Sequence, residues 1–238
     1  MRLDTYLYNN GYTNSRNKAK ELILNKKVLV NSNIITKASF NINKNEANKI
    51  DILKECIYVG RAGDKLKEWL LEYPLDIKNK SCLDIGSSTG GFVQVLLEYG
   101  AKSVVGVDVG RDQLDESLRN DIRVESVEET DIRSYQTQKR FDIVTCDVSF
   151  VGIEYIIKDI DRLASLDIVI LFKPQFEVGR EVRRTKKGVV KNQNAIKLAQ
   201  TKFEALCQSI GWKLCDKRPS KVEGKEGNLE IFYHYTKR

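Results

Sequence analysis

A chain of 238 residues, 41% hydrophobic, has room for one or two domains, and no apolar run approaches membrane-spanning length. Met1-Arg2-Leu3-Asp4 puts an acid where a signal peptide needs apolar residues, so the cytoplasm is the expected compartment and no membrane partner is expected. A net charge of +7 favours a polyanionic partner, and five cysteines without a C-x-x-C pair (Cys56, Cys82, Cys146, Cys207, Cys215) argue for reduced thiols over disulfides or a metal site.

The charge is uneven. Residues 1–60 carry ten Lys or Arg against five acids, which is +5 of the total +7. Within them Leu3, Leu7 and Gly11 mark a short helix and its stop. Ser15 fits an N-cap for a second helix whose apolar face is Ala19, Leu22 and Ile23. Val28-Leu29-Val30, Ile34-Ile35 and Ile50-Asp51-Ile52 read as short strands joined by Asn-rich turns. Arg2-Leu3-Asp4, Leu7, Gly11, Ser15-Arg16, Ala19, Leu22-Ile23, Val28, Val30-Asn31, Lys37 and Ser39 together resemble the S4-like RNA-binding module, with Ser32 where that family usually has Gly. The resemblance covers nearly all of residues 1–55 and implies binding of structured RNA, with Arg2, Ser15, Arg16 and Lys20 as RNA-facing residues.

Residues 58–63 read as a turned linker around Gly60, Arg61 and Gly63, followed by a helix with Asp64 as its N-cap and Lys65 in its first turn. Asp84-Ile85-Gly86-Ser87-Ser88-Thr89-Gly90-Gly91-Phe92 then joins a strand to a helix running to Leu97. Its G-x-x-x-G-G spacing is not the dinucleotide fingerprint, and an acid two residues before the first glycine suits a ligand bearing an ammonium. That points toward S-adenosylmethionine rather than a pyrophosphate. A second strand ends at Asp108, a ribose acceptor common to NAD and S-adenosylmethionine enzymes alike. Ile122-Arg123-Val124 reads as a third strand, and Asp131 is placed either to meet an adenine amino group or as a surface acid. Phe141–Asp147 and Leu166–Phe172 are further strands separated by a helix from Ile153 to about Ala164, and Lys173 stands at the mouth of the second. A basic run from Arg180 to Lys191 includes Arg183, Arg184, Lys186 and Lys187, either an RNA grip or a solvated loop. A long helix, Ala195 to Ile210, leads to an antiparallel pair, Trp212–Lys217 and Leu229–Tyr235, with Glu230 inside the last strand. His234, the sole histidine, reads as packing or rim. Strands alternating with helices define an α/β, doubly wound, Rossmann-like sheet behind a small α+β module.

Arg61-Ala62-Gly63-Asp64-Lys65-Leu66, Leu83–Phe92, Asp147-Val148-Ser149-Phe150, Phe172–Glu177 and Gly227-Asn228-Leu229-Glu230 resemble the TlyA family, whose catalytic half is FtsJ-like. Ala62 and Asp64 depart from its first motif. The resemblance implies a class I methyltransferase organised as an S4-like domain (1–57), a linker (58–63) and a methyltransferase domain (64–238). It implies S-adenosylmethionine as cofactor and a tetrad of Lys65, Asp147, Lys173 and Glu230 acting on a cytidine ribose 2′-hydroxyl of ribosomal RNA. Lys173 would be the general base or would orient the hydroxyl, with a structural ion pair to Asp147 or Glu230 as the competing reading. Asp84 and Gly86 would hold the methionine end, Asp108 the ribose and Asp131 the adenine edge. Ser88, Thr89, Gly90, Gly91 and Phe92 would form the loop wall, although Phe92 alone reads as core. Arg61, Arg180, Arg183, Arg184, Lys186 and Lys187 would meet RNA. The resemblance implies large-subunit 23S RNA for shorter members and 16S as well for longer ones. The short N-terminus and the eight residues after Glu230 look like the shorter type, so 23S is the favoured target with 16S as an additional one, and a monomer is expected. A nucleobase methyltransferase on the same fold, a non-catalytic ribosome-assembly factor and the membrane action that the family's hemolysin label implies are the rival readings.

Overall fold

The computed structural model describes residues 1–13, 15–24, 26–43, 48–52, 58–224 and 226–237, and the chain divides into two units, Met1–Ile57 and Tyr58–Arg238. Cys56, the Glu55–Ile57 end of the joint and the charged residues Lys44, Glu46, Lys54 and Lys225 lie outside the described residues.

In the first unit, helices α1 (Leu3–Asn9) and α2 (Arg16–Leu24) bury Leu3, Leu7, Ala19, Leu22 and Ile23 against Val28 and Val30 of strand β1 (Val28–Val30). Strand β1 pairs antiparallel with β2 (Asn33–Ile34) on one side and β3 (Ile50–Ile52) on the other. Gly11, at φ 74°, follows α1. Ser15 Oγ accepts the amide N–H of Lys18 at 3.1 Å and so caps α2, which occupies the hydroxyl in the helix as well as leaving it exposed. Asn31 (φ 51°) and Ser32 (φ 67°) make the two-residue turn between β1 and β2, so serine meets the left-handed geometry that the S4-like pattern usually gives to Gly. Asp4 is fully buried, and its carboxylate is gripped by both donors of Arg2 at 3.0 Å and by Arg16 at 3.4 Å. Arg2 above all, with the Thr5 amide and Arg16, pulls the Asp4 carboxyl down to about 2 against the cost of burial. Two exposed arginines are thereby fixed in direction by one buried anion.

In the second unit a seven-stranded sheet has the order β6-β5-β4-β7-β8-β10-β9. Strands β4 (Ser81–Ile85), β5 (Ser103–Val107), β6 (Val124–Val127), β7 (Phe141–Cys146) and β8 (Ala164–Phe172) are parallel, and β10 (Ile231–Thr236) runs antiparallel to both β8 and β9 (Lys213–Pro219). The central strands are apolar on both faces, as a doubly wound sheet requires. Alternate residues go to opposite sides: Ile168, Ile170 and Phe172 join the core under α6 (Ile157–Leu163) and α8 (Gln193–Ser209), whereas Val169 and Leu171 join the one under α3 (Arg61–Glu72) and α4 (Gly91–Glu98). The short helices α5 (Glu116–Arg119) and α7 (Pro174–Glu177) complete the set.

Four local expectations shift. The helix after the joint starts at Arg61, with Gly60 in extended conformation as its cap, so Asp64 lies within the first turn and Arg61 to Gly63 are helical rather than a linker. Gly63 serves close packing, because a Cβ there would stand 2.4 Å from the Tyr58 side chain. The third strand begins at Val124, since Asp121 binds both the amide and the guanidinium of Arg123 and turns the chain, leaving Ile122 fully exposed. The helix expected from Ile153 is a 3-10 turn, Ile153–Tyr155, followed by α6, and Ala164 already belongs to β8. Glu230 stands immediately before β10, not inside it.

Cys82, Cys146 and Cys207 are buried free thiols, each pushed up to about 12 by burial, and Cys215 is free and exposed. His234 is buried, with Nε2 2.8 Å from Asp167 Oδ1 and Nδ1 3.3 Å from the Tyr73 hydroxyl.

Candidate active site

Open α/β sheets place ligands beyond the carboxyl ends of their strands, at the point where strand order reverses. Here β4 lies between β5 and β7, so the reversal falls between the loop after β4 and the loop after β7. Those loops are the glycine-rich turn and Asp147–Gly152. Gly86 sits at φ 79°, and a Cβ on it would lie 3.1 Å from the Asp147 carbonyl oxygen, so the two loops touch only because residue 86 has no side chain. Gly91 opens α4 where a Cβ would stand 2.6 Å from the backbone nitrogen of Gly63, which lets α4 press onto α3.

Two cavities flank this contact and share Gly86, Ser88, Asp147 and Ser149 in their walls. The larger, about 450 Å³, is closed by Asp108, Val109, Asp131, Ile132, Val148 and Phe150, a mixture of apolar surface and carboxylates suited to a nucleoside. The smaller, about 200 Å³, is lined by Arg61, Thr89, Phe92 and Lys173 as well. Asp108 accepts the Ser88 amide at 2.8 Å and the Gly110 amide at 2.7 Å, pinning the glycine-rich turn to the tip of β5 while each oxygen keeps a further lone pair. Asp131 faces the cavity but is held by Arg133 through two bonds of 2.9 and 2.6 Å, which lower its pKa. Asp84 lines neither cavity. It is 1% exposed, its Oδ1 accepts the Thr145 hydroxyl at 2.7 Å, and burial, with Asp147 and Asp108 adding to it, pushes it up to about 7. It is thus set behind the cavity wall, two residues before Gly86 in the chain, and not in it. Phe92 is buried and stacks with Phe232 at 6.2 Å, closing the inner end of the smaller cavity. Gly90 (φ 95°) is buried below the exposed Ser88 and Thr89.

The four tetrad residues come together as two ion pairs. Lys65, on α3, reaches Glu230 at 2.6 Å, and Glu230 also accepts from Gln175 Nε2 at 3.3 Å. Lys173, at the end of β8, reaches Asp147 Oδ1 at 2.7 Å, the Ser149 hydroxyl at 2.9 Å and the Asp147 carbonyl at 3.3 Å. Lys173 thus pairs with Asp147 alone, and each carboxylate has its own lysine. All four side chains are at most 11% exposed. Burial raises the Asp147 pKa, although Lys173 and then Lys65 oppose the rise.

Three residues beside the tetrad carry no role in the sequence reading. Ser149 bonds the Lys173 ammonium, Gln175 bonds Glu230, and Phe150 stands 91% exposed at φ 68° with its ring 5.0 Å from Phe176. A bulky residue held in the left-handed region costs strain, and such strain collects at functional loops. Their signal was their adjacency to Asp147 and Lys173 within the two motifs.

The basic run is ordered. Asn228 accepts the Val190 amide at 3.1 Å and donates to the Gly188 carbonyl at 3.4 Å, which fastens the run beside Glu230. Arg184 turns inward and donates to the carbonyls of Val182, Gln175, Val178 and Gly179 at 2.8 to 3.4 Å. Its guanidinium is consumed in shaping the loop, which removes it from the RNA-facing set. Arg180, Arg183, Lys186 and Lys187 are exposed, as is Arg61, whose guanidinium donates to the Glu223 carbonyl at 3.2 Å. Among the described residues no cluster of His, Cys, Asp or Glu could hold a metal, and no helix is long and apolar enough to cross a membrane.

Sheet order, glycine turn and paired cavities define a Rossmann-like methyltransferase of class I. Residues 58–237 match the FtsJ-like methyltransferase family and residues 1–47 the S4 domain. The chain is 46% identical to the 23S rRNA (cytidine-2'-O)-methyltransferase TlyA of Campylobacter jejuni, covering 94% of each, and 35% identical to the 16S/23S rRNA (cytidine-2'-O)-methyltransferase TlyA of Mycobacterium tuberculosis, covering 97% of this chain and 88% of that one. A solved structure from Streptococcus thermophilus that bears a hemolysin name superposes with a TM-score of 0.74 at 30% identity, covering 100% of this chain and 88% of the other. The chain belongs to the TlyA family of FtsJ-like methyltransferases.

Proposed function

We propose that the second unit transfers a methyl group from S-adenosylmethionine to the ribose 2′-hydroxyl of a cytidine in ribosomal RNA, in the cytoplasm, and that the first unit binds that RNA. The observation that carries this reading is the Lys173–Asp147 pair in the wall of a small cavity that adjoins a nucleoside-sized one. Large-subunit RNA is the favoured target, in keeping with the activity named for the Campylobacter relative.

The residues present fit the cofactor. Asp108 and Asp131 suit the nucleoside in the larger cavity, and a buried carboxylate pushed up to about 7 under Gly86 suits an incoming cation. When bound, S-adenosylmethionine supplies an electrophilic methyl on a sulfonium. The protein's part is to hold the hydroxyl oxygen in line and take its proton. Lys173 donates to the Ser149 hydroxyl and the Asp147 carbonyl and lies 2.7 Å from the Asp147 carboxylate, so it reads as a cation that orients oxygen rather than as a free base. The pair's proton-accepting charge resides on Asp147, whose burial makes it a stronger base than an exposed carboxylate. The Lys173–Asp147 pair would take the proton of the 2′-hydroxyl as that oxygen receives the methyl, the S–CH₃ bond giving its electron pair to sulfur so that a neutral thioether leaves. Lys65–Glu230 supports the same edge, and much of the rate comes from positioning. Phe150, with Phe176 behind it, offers an exposed ring at the rim on which the cytosine stacks.

The test is a map of ribose methylation across ribosomal RNA with and without the gene. One or more cytidines lose a 2′-O-methyl mark on deletion, and the purified protein restores it. Unchanged marks would sink the proposal, and a purified protein with no affinity for S-adenosylmethionine would favour a non-catalytic assembly factor.

Binding of the cofactor is pH-dependent. A bound cation stabilises ionised Asp84, so the free protein must release a proton to bind below about 7. Affinity therefore levels off above about 7 and weakens by up to ~10-fold per pH unit below it. Calorimetry at pH 6, 7 and 8 in buffers of different ionisation enthalpy detects both the slope and the released proton, and Asp84→Asn flattens the profile.

A further inference from the structure

The two loops that carry the Lys173–Asp147 pair come from different strands. One follows β7 and holds Asp147, Ser149 and Phe150; the other follows β8 and holds Lys173, Gln175, Phe176 and Glu177. Lys173 ties them at the inner end, through Asp147 and Ser149. At the outer end the tie is Glu177. Its two carboxylate oxygens lie 3.2 and 3.3 Å from the Ile153 nitrogen and accept its N–H at the start of the 3-10 turn. Between these two ties the Phe150 ring lies against Phe176. The loop segment between Asp147 and Ile153 is therefore fastened at both ends to the β8 loop, and Phe150, in its strained left-handed conformation, sits in the middle of that span.

We infer that Glu177 is a positioning residue, a clamp that holds the Phe150 loop against the Lys173 loop so that the acceptor nucleotide meets a preformed surface. This rests on the reading above for what the surface receives, although the clamp itself does not. Glu177 is half-buried and takes no part in the tetrad. Burial pushes its carboxyl up to about 7, the Glu154 charge adds to this, and the Ile153 amide opposes it. The nearest cation on its own strand-loop, Lys173, is engaged by Asp147, and Arg184 is engaged by backbone carbonyls, two of them at Gln175 and Val178. The carboxylate is the stronger acceptor, so the clamp tightens as pH rises through about 7.

Glu177→Ala removes the acceptor, whereas Glu177→Gln keeps an amide oxygen of the same reach and no titration. Hydrogen exchange on the intact chain reads the clamp without any substrate. In Glu177→Ala the amides from Val148 to Ile153 exchange at least ~10-fold faster, while β4 and β7 keep their protection. Glu177→Gln stays within about threefold of the parent, consistent with a net hydrogen bond of ordinary strength. In methyl transfer, Glu177→Ala raises KM for ribosomal RNA with little change in affinity for S-adenosylmethionine, and the pH dependence of that KM near 7 is lost in Glu177→Gln. Unchanged exchange in Glu177→Ala, or equal loosening in both variants, overturns the inference. A parent protein that shows the clamp by exchange yet methylates no ribosomal RNA overturns the functional reading and leaves the clamp standing.

Discussion

Lys173→Ala lowers methyl transfer to ribosomal RNA by ~10³-fold or more, within the range a positioned proton-transfer group supplies, and leaves affinity for S-adenosylmethionine within a few-fold. The separation is built into the site. Lys173 lines only the smaller cavity, whereas the nucleoside-sized one is walled by Asp108, Asp131, Ile132 and Phe150. Removing the ammonium withdraws the cation that orients the hydroxyl and frees Asp147 to take up a proton, since burial already raises its pKa. Single-turnover transfer and calorimetry on the same preparation check both halves. Turnover within tenfold of the parent would leave Lys173 as a structural ion pair and return the site to a nucleobase methyltransferase or a binding protein.

Glu230→Ala destabilises the second unit by ~3–5 kcal/mol, because it leaves the Lys65 ammonium buried without a counter-charge. Lys65 is 9% and Glu230 3% exposed, and their 2.6 Å contact is the deepest ion pair of the site. Gln175 loses its acceptor at the same time. The double variant Lys65→Met/Glu230→Leu removes both charges and recovers stability to within ~1–2 kcal/mol of the parent, as apolar replacement of buried pairs commonly does. It remains inactive. Both tryptophans of the chain, Trp69 and Trp212, belong to the second unit, so denaturant unfolding followed by their fluorescence reports this unit alone. A loss below ~1 kcal/mol for Glu230→Ala would show that the pair does not hold the fold, and activity in the stable double variant would show that it does not serve the reaction.

Much of this was readable from the residues, because local pattern carries local structure. Ser15 as a cap, the glycine turn and the apolar runs at Phe141 and Leu166 all depend on neighbours within a few positions. Departures arose where a distant contact outweighed a local preference. Asp64 sits after Gly in a good capping context, yet the cap of helix α3 is Gly60, four residues earlier, and the first turn packs through Gly63 against Tyr58. Arg184 looks like its basic neighbours in sequence, and only the fold shows the four carbonyls that claim it. The tetrad members were nameable from motifs, but their pairing joins positions 65 and 230, a separation that no periodicity encodes.

The place of β10 in the sheet bears on how the enzyme comes to be active. This strand slots between β8 and β9, so β9 has no seat until β10 arrives, and Glu230 enters with it. Until that insertion Lys65 lacks the carboxylate that pairs with it, and this edge of the sheet carries an uncompensated ammonium. A sheet that holds only β4 to β8 therefore lacks one half of the Lys65–Glu230 pair, and the antiparallel strand that joins β8 to β9 also brings the last carboxylate of the four to its place.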